Sequence, residues 1–328
     1  MEQFRAILQK AVAFFTAIFL ALTSLSIGNN FIIKKGPDVK LTVAMMSDTH
    51  VGDVFYRKLV FLPGVRDVSR HVRPDVFLVA GDCTDNGNAD NWRAFQTILD
   101  KHLQVDNILL AMGNHDSWAS YGGERSYTEA KDTYLRFTNE IMGTDFSEVY
   151  AAREIGGYSF LTLGSEDDTT SATISDEQLD WFANALQTAA QNANGKPIFV
   201  INHQPMNFTH AVGENSHKHG FASNDSSKRL QSILDRYENI IYICGHQHHP
   251  LVLDAQSDPE GFATVEQVGE HITSINLPCY EYGTFLEGGT SVLGQGIVMY
   301  IYADKIELKG RNYFLSNWSR DFHITIPM

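Results

Sequence analysis

Five short apolar runs in this sequence are each followed by polar residues that can bind a metal ion. The runs cover residues 41–46, 76–79, 108–112, 198–201 and 240–243, and the polar residues after them are Ser47-Asp48-Thr49-His50, Gly81-Asp82, Gly113-Asn114-His115-Asp116, Asn202-His203 and Gly245-His246-Gln247-His248. Short runs that are apolar throughout are typical of strands buried in a parallel sheet. Ligands of such sheets gather outside the carboxyl ends of the strands. The sequence therefore predicts one polar site where five strand ends meet.

The order and spacing of these motifs resemble the calcineurin-like metallophosphoesterase family. The resemblance covers residues 41–250, and it rests on the ordered set Asp48-x-His50, Gly81-Asp82-x-x-Asp85, Gly113-Asn114-His115-Asp116, His203 and Gly245-His246-x-His248. Any one of these motifs is a weak match, whereas the five in order are specific. The resemblance implies an α/β fold, a four-layer αββα sandwich of two mixed β-sheets flanked by helices. It also implies a phosphoester hydrolase with a bridging hydroxide on a dinuclear metal centre.

The resemblance also assigns metal ligands. One ion is expected on Asp48, His50, Asp82 and His248, and the other on Asp82, Asn114, His203 and His246. Asp82 bridges, because two ions roughly 3.5–4 Å apart need a shared anionic ligand. Carboxylate, amide oxygen and imidazole suit two divalent ions, with Mn or Fe expected first and Zn as the other option.

His115 has a different expected role from its neighbour Asn114. The resemblance places this histidine beside the substrate, as the general acid of the reaction. A carboxylate partner would orient its ring, and both Asp116 and Asp85 are candidates for that task. Asp116 is therefore predicted as a second catalytic residue.

Three functions remain open at this stage. The main prediction is hydrolysis of a phosphomonoester or phosphodiester. A narrower alternative is a 3′,5′-cyclic nucleotide phosphodiesterase, since the Gly113-Asn114-His115-Asp116 form and the compact length resemble that branch, although monoesterases share the motif. The third is an inactive phosphoesterase fold used as a binding scaffold. Such a protein should have lost ligands, whereas every matched position is filled here.

The charge balance narrows the choice of partner. The formal net charge is −14, and no Lys/Arg cluster provides the basic stripe that nucleic-acid binding requires. The expected partner is a phosphoester substrate, attracted locally by the two divalent ions.

The amino-terminal stretch predicts export. Arg5 and Lys10 precede the apolar run 11–22, and no further charge occurs before Lys34. This pattern fits a cleaved signal peptide and also fits a membrane anchor, over residues 1–28. Its positive flank favours a catalytic domain outside the cytoplasm, secreted or membrane-anchored. Residues 29–38 read as a linker and 39–328 as one catalytic domain.

The remaining segments complete the expected domain. Helices are predicted at 55–72, 92–103 and 126–142. The segment 117–143, which contains the last of these helices, is expected over the site as a lid or wall, and the long irregular segment 206–226 is predicted to contact substrate. After Pro250, antiparallel strands are expected around 251–253, 263–265, 273–277, 296–302 and 305–308, completing the second sheet, with a hairpin turn at Asp304-Lys305. Three cysteines, Cys83, Cys244 and Cys279, predict no disulfide framework.

Overall fold

The structure is a computed structural model that describes residues 35–52, 55–118, 125–213, 219–258, 261–281 and 293–328. The predicted export segment 1–28 and most of the predicted linker 29–38 lie outside these residues. Within the described ranges, no helix combines the length and the apolar character needed to cross a bilayer.

Twelve strands and six α-helices make up the described part of the chain. The strands are β1 Leu41–Met46, β2 Val76–Val79, β3 Asn107–Leu110, β4 Ala151–Ile155, β5 Tyr158–Thr162, β6 Ile198–Ile201, β7 Ile240–Cys244, β8 Val265–Val268, β9 Ile272–Asn276, β10 Gln295–Ile301, β11 Lys305–Asn312 and β12 Asn317–Pro327. The helices are α1 Phe55–Asp67, which continues as a π-helical turn Val68–Val72, α2 Ala89–His102, α3 Asn114–Ser117, α4 Tyr127–Met142, α5 Asp176–Ala193 and α6 Asn224–Leu234. A 3₁₀ turn covers Ala255–Ser257.

The strands form two six-stranded mixed sheets. The first has the order β12-β11-β10-β1-β2-β3, and the second has the order β4-β5-β6-β7-β9-β8. In the first sheet β1, β2 and β3 are parallel, while β10, β11 and β12 are antiparallel to their neighbours. In the second sheet β5, β6, β7 and β9 are parallel, and β4 and β8 are antiparallel edge strands.

Because successive side chains of a strand point to opposite faces of its sheet, the interior is divided into three apolar layers. On β1, Val43 and Met45 pack with Phe199 and Ile241 of the second sheet, so the two sheets face each other. Ala44 and Met46 on the opposite face of β1 pack with residues of α1, α2 and α4. The outer face of the second sheet packs in the same way with α5 and α6. This is the predicted αββα sandwich, and it follows from the period of two along each buried strand.

The segment after Pro250 differs from the prediction in its details. Strand β9 joins β7 in parallel, and β10, β11 and β12 extend the first sheet, so only β8 and β9 complete the second. No strand forms at residues 251–253, and the predicted set lacked β12. The turn between β10 and β11 is centred on Ala303-Asp304, because the Tyr302 N–H donates to the Lys305 carbonyl oxygen.

Helix α4 begins where the sequence predicted. The Ser126 hydroxyl accepts a hydrogen bond from the Glu129 N–H, and the Glu129 carboxylate accepts one from the Ser126 N–H, which is a complete capping box. Its apolar face carries Tyr134 and Phe137 against Trp92 of α2. The helix therefore belongs to the outer layer over the first sheet, and its packing is that of a wall and not of a lid.

Candidate metal centre

The ends of five strands bring all seven predicted metal ligands to one place. Asp48 and His50 follow β1, Asp82 follows β2 and Asn114 opens α3 after β3. From the second sheet, His203 follows β6, while His246 and His248 follow β7. Because the two sheets face each other and these strands point the same way, their carboxyl ends converge at one edge of the sandwich.

One cluster contains Asp48, His50, Asp82 and His248. Their potential ligand atoms all lie within 4.8 Å of one another. The His248 Nε2 atom is 3.1 Å from Asp48 Oδ1 and 3.2 Å from His50 Nε2. This is the composition predicted for the first metal position.

A second cluster contains Asp82, His203 and His246, again with ligand atoms within 4.8 Å. The His203 Nδ1–H donates to the Ala80 carbonyl oxygen at 2.8 Å, which leaves Nε2 as the atom that faces Asp82 Oδ2 at 3.2 Å. Such a bond to a main-chain carbonyl is how metal-binding histidines are commonly oriented. Asn114, the remaining predicted ligand, is 2 % exposed.

Asp82 belongs to both clusters, and its two carboxylate oxygens have different surroundings. Oδ1 accepts a hydrogen bond of 2.8 Å from the main-chain N–H of His115. Oδ2 faces three imidazoles, those of His203 at 3.2 Å, His50 at 3.9 Å and His115 at 3.9 Å. One oxygen therefore fixes the side chain and the other is directed at the shared centre, as a bridging ligand requires.

Several buried polar atoms of this centre lack hydrogen bonds within the described part of the chain. They are Asp48 Oδ1, Asp82 Oδ2, Asn114 Oδ1 and His203 Nε2. Buried polar atoms in folded proteins are normally satisfied, and an exception calls for an explanation such as a bound ion. All four atoms belong to the predicted ligand set, so the residues present fit a pair of metal ions.

Five of the seven predicted ligands have a left-handed backbone. The φ angles are 55° at Asp48, 43° at His50, 49° at Asp82, 70° at His246 and 55° at His248. Non-glycine residues occupy this region uncommonly, and such outliers cluster at functional sites. The strand ends therefore carry a conformational cost that aims the side chains at the centre.

Two glycines of the predicted motifs allow the loops to approach closely. A Cβ atom at Gly113 would collide with Asp82, and one at Gly245 would collide with Ser47. Gly113 thus brings the loop after β3 against the bridging carboxylate, and Gly245 brings the loop after β7 against the end of β1. The second contact is completed by the His246 N–H, which donates to Asp48 Oδ2 at 3.1 Å.

The charges of the centre are strongly coupled. Burial alone would raise the pKa values of Asp48 and Asp82, but the surrounding histidines lower both well below the usual range. Burial alone would lower the pKa of His203, but Asp82 and Asp48 raise it to about 9. Without a metal, the carboxylates thus hold a proton on imidazole, and a divalent ion would replace that proton.

Comparison with known proteins identifies the fold family. The model of the calcineurin-like phosphoesterase family matches residues 41–250, which is well over half of the chain and contains every residue of the two clusters. The chain belongs to the calcineurin-like phosphoesterase family. The predicted family is thereby confirmed.

Two curated relatives of this chain carry names that specify a bond. A probable cyclic nucleotide phosphodiesterase of Rhodococcus erythropolis is 26 % identical over 184 residues, which cover 52 % of this chain and 54 % of the relative. A probable glycerophosphodiester phosphodiesterase, GpdQ, of Arcobacter nitrofigilis is 24 % identical over 228 residues, covering 63 % and 72 %. The match to the first relative thus spans about half of that protein's length.

Among solved structures, GAP50, described as the anchor in the inner membrane complex of Plasmodium, aligns with a TM-score of 0.53 at 11 % identity. The alignment covers 88 % of this chain and 89 % of GAP50. At this identity the likeness concerns the fold alone, and it agrees with the two-sheet sandwich.

His115 of the phosphoesterase lies at the rim of the metal centre. Its Nδ1–H donates to the main-chain carbonyl oxygen of Asp85 at 2.6 Å, so Nε2 faces the centre. The ring packs between His50 and Trp118, at centroid distances of 4.4 and 4.0 Å. Burial lowers the pKa of His115, and this outweighs the opposing effect of Asp82.

The two carboxylates predicted to orient His115 have other partners. The Asp116 carboxylate accepts four hydrogen bonds, from the N–H groups of Cys83, Thr84 and Gly113 and from the Thr84 hydroxyl. Burial and the nearby Asp82 raise the pKa of Asp116 to about 7, yet every partner is a donor, which suits the ionised form. Asp116 thus ties the loops after β2 and β3 together, and the catalytic role predicted for it stays a prediction. The Asp85 carboxylate pairs with Arg57.

The fold brings two further residues to the same edge. Cys279, which was predicted only to form no disulfide, clusters with His50 and His248. His219, in the loop predicted to contact substrate, lies 6.1 Å from His246 between ring centroids, and its carbonyl oxygen accepts a bond from the Gln247 side chain. Sequence reasoning missed Cys279 as a site residue, because it sits in no local motif and only the fold reveals it.

Proposed function

We propose that this phosphoesterase is a binuclear-metal phosphodiesterase. The observation that carries the proposal is Asp82 Oδ2, a buried carboxylate oxygen shared by two clusters of potential metal ligands. The first ion would be held by Asp48, His50, Asp82 and His248, and the second by Asp82, Asn114, His203 and His246. When bound, the two ions would supply the charge that attracts an anionic phosphoester and the acidity that turns water into a nucleophile.

The preference for a diester rests on the two curated relatives. Both carry names that specify a phosphodiester bond, in a cyclic nucleotide in one case and in a glycerophosphodiester in the other. We therefore propose a phosphodiester substrate for this chain, with a 3′,5′-cyclic nucleotide as the narrower alternative. The exposed loop residue His219, close to His246, is placed to contact the organic part of such a substrate.

In the proposed reaction His115 transfers a proton. The carbonyl oxygen of Asp85 fixes the ring, so that Nε2 is the atom directed at the reacting group. Protonated at Nε2, His115 would donate to the leaving oxygen, and the pKa lowered by burial favours release of that proton. Asp82 links this residue to the metal centre, because its Oδ1 accepts the His115 main-chain N–H.

We propose Mn or Fe as the native metals, with Zn as the other option. The support is the donor set, two carboxylates, one amide oxygen and four imidazoles. Such hard and borderline donors suit these ions and do not discriminate sharply among them.

Metal analysis combined with a substrate panel tests the proposal. The expected result is two ions per chain, with faster hydrolysis of bis(p-nitrophenyl) phosphate than of p-nitrophenyl phosphate. Cyclic AMP and glycerophosphocholine in the same panel would separate the two diester classes. A faster rate on the monoester would contradict the proposed preference for diesters.

The rival proposal is an inactive scaffold with a phosphoesterase fold. GAP50 shares the fold and is described as an anchor, so the fold alone does not decide. The filled ligand positions and the unsatisfied buried atoms at Asp48, Asp82 and Asn114 favour an enzyme. Two bound ions without hydrolysis of any phosphoester in the panel would favour the scaffold.

We propose export for this chain, through residues 1–28 as a cleaved signal or a retained membrane anchor. The support is the basic flank followed by the uncharged apolar run. Cell fractionation followed by sequencing of the mature amino terminus tests this. An intact, soluble cytoplasmic protein would contradict it.

A further inference from the structure

We propose that Cys279 is an additional ligand of the first metal position, so that this position has mixed sulfur, nitrogen and oxygen donors. The inference rests on the proposed binuclear centre and specifies its chemistry. The Cys279 Sγ atom forms a cluster with ring nitrogens of His50 and His248, all within 4.8 Å of one another. The same two histidines belong to the cluster with Asp48 and Asp82.

The main chain holds Cys279 beside the end of β1. Residues 279–281 run parallel to this strand end, and Cys279 forms a parallel β-bridge with Ser47. The Tyr280 N–H donates to the Ser47 carbonyl oxygen at 2.9 Å, and the Glu281 N–H donates to the Asp48 carbonyl oxygen at 3.2 Å. This is an isolated β-bridge outside the named strands, and the two hydrogen bonds fix the register of the residues that follow the thiol. The position of Sγ is therefore determined by the fold.

Tyr280 fixes the same segment from the other side. It is fully buried, its hydroxyl donates to the Val60 carbonyl oxygen of α1 at 2.9 Å, and its ring meets Phe61 edge-on. A Cβ atom at Gly64 would collide with the Tyr280 ring, so the helix leaves no room for this side chain to shift. Cys279 is thus held rigidly between β1 and α1, as a metal ligand must be.

A second observation points to an ion in this cluster. Asp48 Oδ1 is completely buried and lacks a hydrogen bond in the described structure, although it lies 3.1 Å from His248 Nε2. The Cys279 thiol donates a hydrogen bond to the main-chain oxygen of the same residue, with Sγ 3.5 Å from that oxygen. An ion at the unsatisfied carboxylate oxygen would therefore have the thiol as a neighbour.

The chemistry of the thiol predicts a change in metal preference. Bonds from zinc to sulfur are about 2.3 Å long, and bonds from zinc to nitrogen are about 2.0–2.1 Å long. The sulfur and nitrogen donors lie within 4.8 Å of one another, so they would need to move only slightly closer to bind one ion. Binding would release the thiol proton to solvent and leave a thiolate on the ion. Soft thiolate favours Zn over Mn, whereas carboxylate and amide oxygen do not.

The chain provides matched controls. Cys83 and Cys244 are buried like Cys279, and each lies within two residues of a predicted ligand, but they belong to apolar layers of the core. The Cys244 thiol donates to the Ile275 carbonyl oxygen. Cys244→Ala therefore removes a thiol of similar burial without touching the metal cluster.

Cobalt substitution of the full chain tests the proposal. Cobalt(II) bound to a thiolate shows a sulfur-to-metal charge-transfer band in the near ultraviolet, which oxygen and nitrogen ligands do not produce. We expect this band in the unchanged protein and in Cys244→Ala, and its loss in Cys279→Ser and Cys279→Ala. In competition between equal Zn and Mn, Cys279→Ser should lower the bound Zn:Mn ratio about 10-fold or more, the scale on which partners of a metal site act.

The outcomes separate this inference from the proposed function. Two bound cobalt ions without the band would overturn the role of Cys279 and leave the binuclear centre standing. A protein that binds no cobalt would overturn both. Persistence of the band in Cys279→Ala would assign it to another thiol and also contradict the proposal. Melting of the metal-free variants, expected to match the unchanged protein within a few degrees, verifies that each is folded.

Discussion

The two sheets contribute different kinds of donor to the metal centre. Both carboxylates and the amide oxygen of the predicted ligand set follow strands of the first sheet, at Asp48, Asp82 and Asn114, whereas the members of that set that follow strands of the second sheet are all imidazoles, at His203, His246 and His248. Neither half alone has the donors for two ions. The metal centre therefore depends on how the sheets dock. The two carboxylates, whose negative charge sets the affinity of the centre for metal ions, both follow strands of the first sheet.

The docking itself does not need the ions. The layer between the sheets is a continuous apolar core that includes Val43, Met45, Phe199 and Ile241. Burial of such side chains contributes about 1.5–3 kcal/mol each, so the metal-free protein should fold and present an open set of ligands. Metal binding then adds stability by mass action, about 2.7 kcal/mol at 100 times the dissociation constant for each ion.

The largest effect is expected from the carboxylate side. Asp82→Asn removes the charge shared by both clusters, so both ions should be lost and turnover should fall about 10³-fold or more. Asp48→Asn is the matched control and should weaken mainly the first ion. Metal content per chain, measured by mass spectrometry, decides the outcome. Two tightly bound ions in Asp82→Asn would show that this residue does not bridge.

His115→Ala should separate turnover from metal binding. The side chain lies at the rim and is held by the Asp85 carbonyl oxygen, so both ions should remain, while general acid catalysis worth about 10²–10⁴-fold is lost. The loss should be larger for an alkyl phosphoester than for a nitrophenyl one, because nitrophenolate leaves without protonation. An equal loss on both would indicate phosphate positioning, and loss of metal would make His115 a ligand.

A smaller effect is expected in protein kept metal-free by a chelator, where His203 of the second sheet interacts with the carboxylates of the first sheet. The pKa of His203 is raised from its ordinary 6.5 to about 9 by Asp82 and Asp48, against the effect of burial. The resulting stabilisation is fully present below about pH 6.5 and is lost as the pH rises through about 9, a change on the order of 3 kcal/mol. Urea unfolding with chelator across this range measures it.

The matched control for that titration is the metal-loaded protein. A bound divalent ion would replace the proton on His203. The stability of the metal-loaded protein should therefore vary much less between about pH 6.5 and about pH 9. Equal slopes with and without metal would contradict the assignment of His203 to the second cluster.

The smallest effect is expected from truncation. A chain beginning at Gly36 keeps both sheets and every ligand, and it loses only the exposed ion pair between Lys35 and Asp75 among the described contacts. Such pairs contribute about 0–1 kcal/mol, so the shortened protein should be soluble, fully active and almost unchanged in melting temperature. Failure to fold would show that the amino-terminal segment belongs to the core.

The sequence was most informative where strands are buried on both faces. The limits of β1, β2 and β6 agree with the predicted runs because continuous apolar residues end abruptly at polar ones. Strand β12 was missed because it is an edge strand with mostly exposed residues, although Phe322, Ile324 and Ile326 alternate with polar residues along it. The parallel pairing of β9 also escaped prediction, since side-chain alternation does not encode strand direction.

For the site, too, the sequence was informative where the residues that form a feature are close together in the chain, and less so where the fold brings distant residues together. The five motifs placed all seven ligand candidates at strand ends, as the structure has them, because each motif combines a strand, a tight turn and a donor. The role predicted for Asp116 differs from its contacts because its hydrogen bonds reach a loop more than thirty residues away. Cys279 follows β9, outside every motif, and only the β-bridge to Ser47 brings it to the ligands.

Strand β1 also fixes the direction in which the catalytic edge faces. The chain enters it from the turn at Gly36–Val39 and leaves it at Asp48, and six strand residues span about 20 Å. Whatever precedes Gly36 is therefore tethered at the opposite end of the sandwich from the ligands. A membrane anchor in residues 1–28 would thus join the domain at the end of the sandwich farthest from the ligands.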